Sequence, residues 1–294
     1  MTGSRHHDDL CRYERSAWLG GAVAVLLATV TACSEPPPPV PAPGAEAREL
    51  SVPFDRYNFS PADISLLESA EDLLVRDCMR GRGMAWEPLP PAVASDLEPP
   101  NRRRYGVVEP EVARLYGYHV APDRPSVARR AAARESRAAH LPEKERQAVY
   151  DETGGCLRKA RDRIEQGAPQ VDTALFNKLI TQTFEQSRRD VKVVQTFRSW
   201  SACMRAEGLR YADPLAAVTD QRWQGEGPPT EEEIRAAQAD VRCKAKTALV
   251  SVWSAAEERI QGEVVRAHPE EFEALKAAKD RQSEAARAII AGAR

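Results

Sequence analysis

Cys78-Met79-Arg80-Gly81-Arg82-Gly83-Met84-Ala85-Trp86 returns further along the chain as Cys203-Met204-Arg205-Ala206-Glu207-Gly208-Leu209-Arg210-Tyr211. The shared frame is Cys-Met-Arg, two residues, Gly, an apolar residue, one more residue and an aromatic. A Pro-containing stretch follows each copy (Pro88, Pro90 and Pro91; Pro214), and each half holds a later cysteine, Cys156 or Cys243. In physical terms Cys-Met-Arg closes an amphipathic helix. Gly83 and Gly208 fall just past the helix end, where a left-handed residue is needed and glycine adopts it without steric cost. The apolar and aromatic residues beyond can then fold back onto the core. Cys78, Cys156, Cys203 and Cys243 allow three pairings. The repetition favours Cys78–Cys156 and Cys203–Cys243, each half stapling its first helix to its second. Such loop closures stabilise by about 4 kcal/mol each in the chain-entropy model. No Cys-x-x-Cys is present, so a thioredoxin-like role loses its main support. The histidines near these thiols (His119, His140, His268) lack zinc-ligand spacing, and neither a metal nor a cofactor is expected.

Working outward, helix starts are well marked. Ser60-Pro61-Ala62-Asp63 sets a hydroxyl cap, then Pro at the first helical position, then an acid. A second start lies at Asp172, from which Phe176, Ile180, Phe184, Val191, Val194, Phe197 and Trp200 recur mostly at helical spacing up to Cys203. That stripe predicts one long amphipathic helix or two in series. Thr230-Glu231-Glu232-Glu233 has the form of a capping box, opening a helix that carries Cys243, Val250, Trp253 and Ile260. Pro269 begins a last helix through Phe272, Leu275 and Ile289. Pro and Gly cluster at 86–100, 117–125, 167–169 and 225–229, which marks loops, and strand alternation is absent. The expected fold is all-α. It comprises two related disulfide-stapled helical halves, 57–168 with a Pro/Arg/Tyr-rich insert and 169–294 with the C-terminal helix.

The N-terminal part decides location. The apolar run from Leu19 to Val30 is too short to span a bilayer, which takes about 20 residues, and fits a signal-peptide core. It ends in Val30-Thr31-Ala32-Cys33, which resembles the lipobox of bacterial lipoprotein signal peptides. The resemblance implies removal of 1–32, Cys11 included, and acylation (palmitate and diacylglycerol chemistry) of Cys33 as the mature N-terminus. Arg5, Arg12 and Arg15 in the leader are offset by Asp8, Asp9 and Glu14, so its positive charge is weak. Residues 33–56, opening Cys33-Ser34-Glu35-Pro36-Pro37-Pro38-Pro39, read as a Pro-rich tether that favours polyproline II. The expected location is the extracytoplasmic face of the cell membrane, held by lipid. The formal net charge of −2 argues against a nucleic-acid partner.

Both motif copies, together with Arg104-Tyr105-Gly106 and Tyr116-Gly117-Tyr118-His119 between them, resemble a class of exported lipoproteins of actinobacteria. The resemblance covers the leader, both copies and the insert. It implies location and disulfides and brings no activity.

Residues 101–125 are the least core-like. Arg102, Arg103, Arg104 and Tyr105 precede Tyr116, Gly117, Tyr118 and His119, and arginines outnumber acids from 101 to 137. Guanidinium forks on phosphate with rings stacked on sugars would suit an anionic cell-wall polymer or lipid headgroup. The competing reading packs the insert on the helices, with its tyrosines filling a groove and its arginines solvated or paired with Glu109, Glu111 and Asp123. Enzyme motifs are missing: no Gly-x-Ser-x-Gly, no His-Glu-x-x-His, no phosphate-cradling glycine loop. His119 beside two tyrosines is the single candidate general base for a small hydrolase. Glu231 to Glu233 and Glu270-Glu271 sit in helix first turns, where they complement the dipole. The segment from Glu270 to Ala291 either pairs with a partner helix or packs back on its own domain. The leading expectation is a non-catalytic accessory lipoprotein engaging another envelope protein. The alternative is a polymer or headgroup receptor built on Arg102–His119.

Overall fold

The two motif copies close two helices in the same way. In the computed structural model, which describes residues 40–293, Gly83 and Gly208 have φ of 71° and 82°. Met84 N–H donates to the Met79 carbonyl and Gly83 N–H to that of Arg80, both at 3.0 Å. Leu209 N–H to Met204 (2.9 Å) and Gly208 N–H to Arg205 (3.0 Å) repeat the pattern. Each pair is a Schellman closure, satisfying carbonyls that the helix end leaves bare. Met79 and Met204 are fully buried, and Met84 and Leu209 fold back into the same apolar clusters.

The described residues form twelve α-helices with no strand. The first half contains α1 (Ala45–Glu49), α2 (Pro61–Gly81), α3 (Pro110–Tyr116), α4 (Pro125–His140), α5 (Glu143–Tyr150) and α6 (Cys156–Glu165). The second contains α7 (Thr173–Arg188), α8 (Val191–Ala206), α9 (Pro214–Val218), α10 (Glu231–Lys246), α11 (Leu249–Ala267) and α12 (Pro269–Gly292). Cys78–Cys156 ties α2 to α6 and Cys203–Cys243 ties α8 to α10, each with a Cα–Cα distance of 5.7 Å. The fold is all-α and disulfide-stapled. No helix among the described residues is long and apolar enough to cross a membrane.

Local signals set the helix starts. Ser60 Oγ accepts from Asp63 N–H while Asp63 accepts from Ser60 N–H, a reciprocal box at the start of α2. Asp172 and Asp190 cap α7 and α8 through Leu175 and Lys192 N–H. The long apolar stripe is therefore two helices in series, and its member Val191 stands exposed at the first turn of α8. The stretch expected as one helix from Thr230 through Ile260 also divides. Ala248 adopts a left-handed conformation (φ 51°) between α10 and α11.

The two halves interleave. The insert attached to the first half packs α3 against α10, and α12 of the second half lies along α2 and α6. Tyr105, Val107, Val112 and Tyr116 share the largest core with Trp200, Cys243 and Trp253. Ala286 of α12 packs with Ala70 and Ile164, whereas Phe54, Phe176 and Phe272 meet at ring-centroid distances of 5.1–5.9 Å. The described residues accordingly belong to one compact unit. Of the tether expected over 33–56, residues 40–56 belong to this fold. Ala47, Val52 and Phe54 are buried, and Phe54 packs with Phe176 of α7 and Phe272 of α12 while its N–H donates to Gln261 of α11. The signal peptide over 1–32, the lipidation position Cys33 and the tether up to residue 39 lie outside the described residues.

Candidate functional site

Two glycines let the Arg-Tyr segment press against α10. At Gly106 (φ 82°) a Cβ would come within 2.8 Å of Lys244 Nζ, and at Gly117 (φ 56°) within 2.6 Å of Glu233 Oε1. The backbone passes so close because α10 supplies buried charges to receive it. Lys244 Nζ donates to the Val107 carbonyl (2.9 Å) and to Asp240 Oδ2 (2.8 Å), and Trp200 Nε1 donates to Asp240 Oδ1 (2.9 Å). Glu233 Oε1 accepts from Tyr118 N–H (2.7 Å), His119 N–H (3.1 Å) and the His119 ring Nδ1 (2.7 Å). Thr230 caps the Glu233 N–H, but the carboxylate does not return to Thr230 as a capping box requires. It is taken by the insert instead.

The arginines are committed in the same way. Arg104 forks onto the buried carboxylate of Glu257, which also accepts from Tyr105 OH and from Gln261 Nε2, both at 2.9 Å. Gln261 in turn accepts the Phe54 N–H, so one polar chain joins the insert, α11 and the N-terminal turn. Arg103 donates to the carbonyls of Tyr118 (2.7 Å) and His119 (2.8 Å), closing the insert into a loop. Arg102 donates to Glu98, to Glu109 and to the Pro41 carbonyl. Glu109 is thus a partner anticipated for the insert, while Glu111 pairs with Arg114 and Asp123 lines a cleft. Arg102, Tyr105, Tyr116 and Tyr118 are all buried. Burial, and then the neighbouring Glu257, pushes the Tyr105 phenol well above its ordinary value. Burial and the nearby Asp240 do the same for Tyr118.

His119 lies between two acceptors, Glu233 and the Gly225 carbonyl, the second 3.3 Å from Nε2. Only the imidazolium can donate to both. The hydrogen bond to Glu233 accordingly raises its pKa above the ordinary histidine value. With both ring nitrogens facing acceptors, neither is turned toward an open space from which a substrate proton could be taken. Among the described residues no three His, Cys, Asp or Glu side chains converge as a metal site requires.

Glu257, Asp240 and Lys244 are residues that sequence reasoning passed over, and Glu233 was read only as a capping and helix-dipole residue. Their signal was present. Glu257 sits four residues after Trp253 and three before Ile260, on the apolar stripe of α11. Asp240 and Lys244 flank Cys243 on the buried face of α10. A charge on a core-facing stripe must find a buried partner, and the Arg-Tyr segment is that partner.

Beside the insert lies an open cleft whose lining is largely apolar but also carries Glu98, Glu109 and Asp123. It measures about 300 Å³ and is walled by Val40, Pro99, Pro100, Val112, Val120 and Pro122, with Arg102 and Arg103 in its lining. Val120 is 82% exposed, and no other large apolar side chain among the described residues is so bare. A second hollow, lined by Ala42, Pro43 and Leu97, shares Glu98, Pro99 and Pro100 with the first. No protein-family model, curated protein or solved structure matches the chain.

Proposed function

We propose that the protein is a lipid-anchored, non-catalytic module on the extracytoplasmic face of a bacterial cell membrane, and that it engages another envelope protein. The observation carrying this reading is the spending of the insert's charge inside the molecule. Arg102, Arg103 and Arg104 are bound to Glu98, Glu109, Glu257 and backbone carbonyls. An anionic polymer would have to displace these partners, whereas the valine- and proline-walled cleft beside them stands open. Apolar contact with a protein is insensitive to salt, and polymer binding through exposed guanidinium groups falls steeply with it.

The test is a pull-down from the envelope with the full chain, extracted in mild detergent, at low and high salt. A discrete protein retained at high salt and lost in a Val120→Asp variant is the expected result. Wall polymer or anionic lipid released by salt, with no protein retained, would overturn the proposal in favour of the receptor reading.

A further inference from the structure

The first described residues of the chain are held by a side chain that the sequence singles out for another purpose. Pro41 and Pro43 have φ fixed near −65° and carry no N–H. The prolines of such a stretch can be gripped only by their carbonyls and apolar faces. Arg102 Nη2 donates to the Pro41 carbonyl at 3.0 Å. Three residues on, Gly44 N–H donates to Glu109 Oε1 at 2.9 Å. Glu109 also receives Arg102 Nε and Nη2, and Glu98 receives Nη1 at 2.9 Å. All three donor nitrogens of one buried guanidinium are thereby occupied. Val40 packs against the main core beside it.

We infer that Arg102, positioned by Glu98 and Glu109, is a clamp that fixes the chain from Val40 to Gly44 onto the domain and so limits how far the anchored domain stands from the bilayer. The inference rests on anchoring through Cys33. From Cys33 to Pro39 there are seven residues, and a chain of that length reaches at most about 25 Å. With the clamp released, the next buried attachments are Ala47 of α1 and then the turn at Val52 and Phe54. Freeing residues 40–46 would add up to about 25 Å, and freeing 40–51 up to about 40 Å. The closed clamp also selects a face. Val40 lines the apolar cleft, so the cleft lies where the tether enters and a partner meets it close to the membrane surface.

Trypsin reads the clamp through Arg48, an exposed residue of the short helix α1 that the clamped stretch leads into. Cleavage after Arg48 separates the lipid-bearing peptide from the domain. Intact membranes are pulsed with trypsin, and the released fragment beginning at Glu49 is quantified by mass spectrometry. The same rates are measured on the purified full chain. In Arg102→Lys, cleavage at Arg48 is expected to be about tenfold faster or more, the factor that one lost charge-assisted hydrogen bond commands. Val40→Asp, which sets an unpaired charge against the core, is expected to accelerate it likewise. Val40→Asp leaves the ion pairs intact and carries the test if Arg102→Lys fails to fold. Unchanged cleavage in folded Val40→Asp protein overturns the clamp. Failure of the anchor is seen separately, as protein already in the supernatant before trypsin or as Cys33 without acyl mass.

Discussion

Replacing Lys244 by Met removes the cation from a pair that water does not reach. The Lys244 and Asp240 side chains are 2% and 0% exposed, and the ammonium also holds the Val107 carbonyl of the insert. Burial already pushes the Asp240 carboxyl above its ordinary range, and Lys244 is the largest influence opposing that shift. With Lys244 gone, Asp240 keeps an uncompensated charge or takes up a proton, and one acceptor of the insert is left bare. Breaking a buried pair from one side costs about 3–5 kcal/mol. For a unit of this size that corresponds to a fall in Tm of about 6–20 °C. Thermal and urea unfolding, followed by circular dichroism with both disulfides intact, measure it. The deficit relative to the parent protein should shrink as pH falls, because protonation of Asp240 relieves the charge. The double variant Lys244→Met/Asp240→Leu should recover much of the loss, since an apolar replacement of the whole pair is often neutral. A single variant within about 1 kcal/mol of the parent, or a double variant worse than the single, would refute the account of α10 as the charged seat of the insert.

Gly117→Ala should cost about 2 kcal/mol or more, since a positive φ carries strain and the new Cβ drives Glu233 off its three donors. Gly83→Ala meets no atom within 4 Å and should cost only about 1 kcal/mol; equal losses in urea unfolding would contradict this close-approach argument. His119 holds its proton more tightly folded than unfolded, so its pairing stabilises fully below the unfolded pKa of about 6.5. That contribution is lost as pH rises through the raised folded value. Urea midpoints should fall between pH 6 and pH 8 by more in the parent than in His119→Gln. Removing the Cys203–Cys243 disulfide, which closes a separation of 40 residues, should cost about 4 kcal/mol, and a non-reducing peptide map must link Cys78 to Cys156.

The features legible in the sequence are the ones that act over a few residues. Gly83 and Gly208 mark their helix ends because only a left-handed residue lets Met84 and Leu209 bond back to Met79 and Met204. Ser60, Asp172 and Pro269 start helices for equally local reasons. The repeat made the disulfide pairing readable, because equivalent cysteines in equivalent halves face equivalent neighbours. The break at Ala248 escaped, and two helices in series around Asp190 stood only as one of two alternatives, since an apolar stripe continues through a short interruption and periodicity alone does not register it.

Tertiary structure alone decided where the charge of the insert goes. Arg104 meets a glutamate 153 residues away and Tyr118 one 115 residues away. No local rule reaches that far, and a run of arginines looks the same whether it faces a polymer or a buried carboxylate. The same holds for the tether. Proline-rich sequence predicts an extended chain, which residues 40–44 are, but whether that chain is free depends on Arg102 being placed beside Pro41 by residues the tether never neighbours in sequence. Sequence by itself determined the main helix starts and the two glycine-closed helix ends, because these follow from backbone sterics within a turn, and the repeat added the staples. The interleaving of the halves and the burial of the Arg-Tyr segment follow from long-range burial of charge and apolar surface, which only the assembled fold can settle.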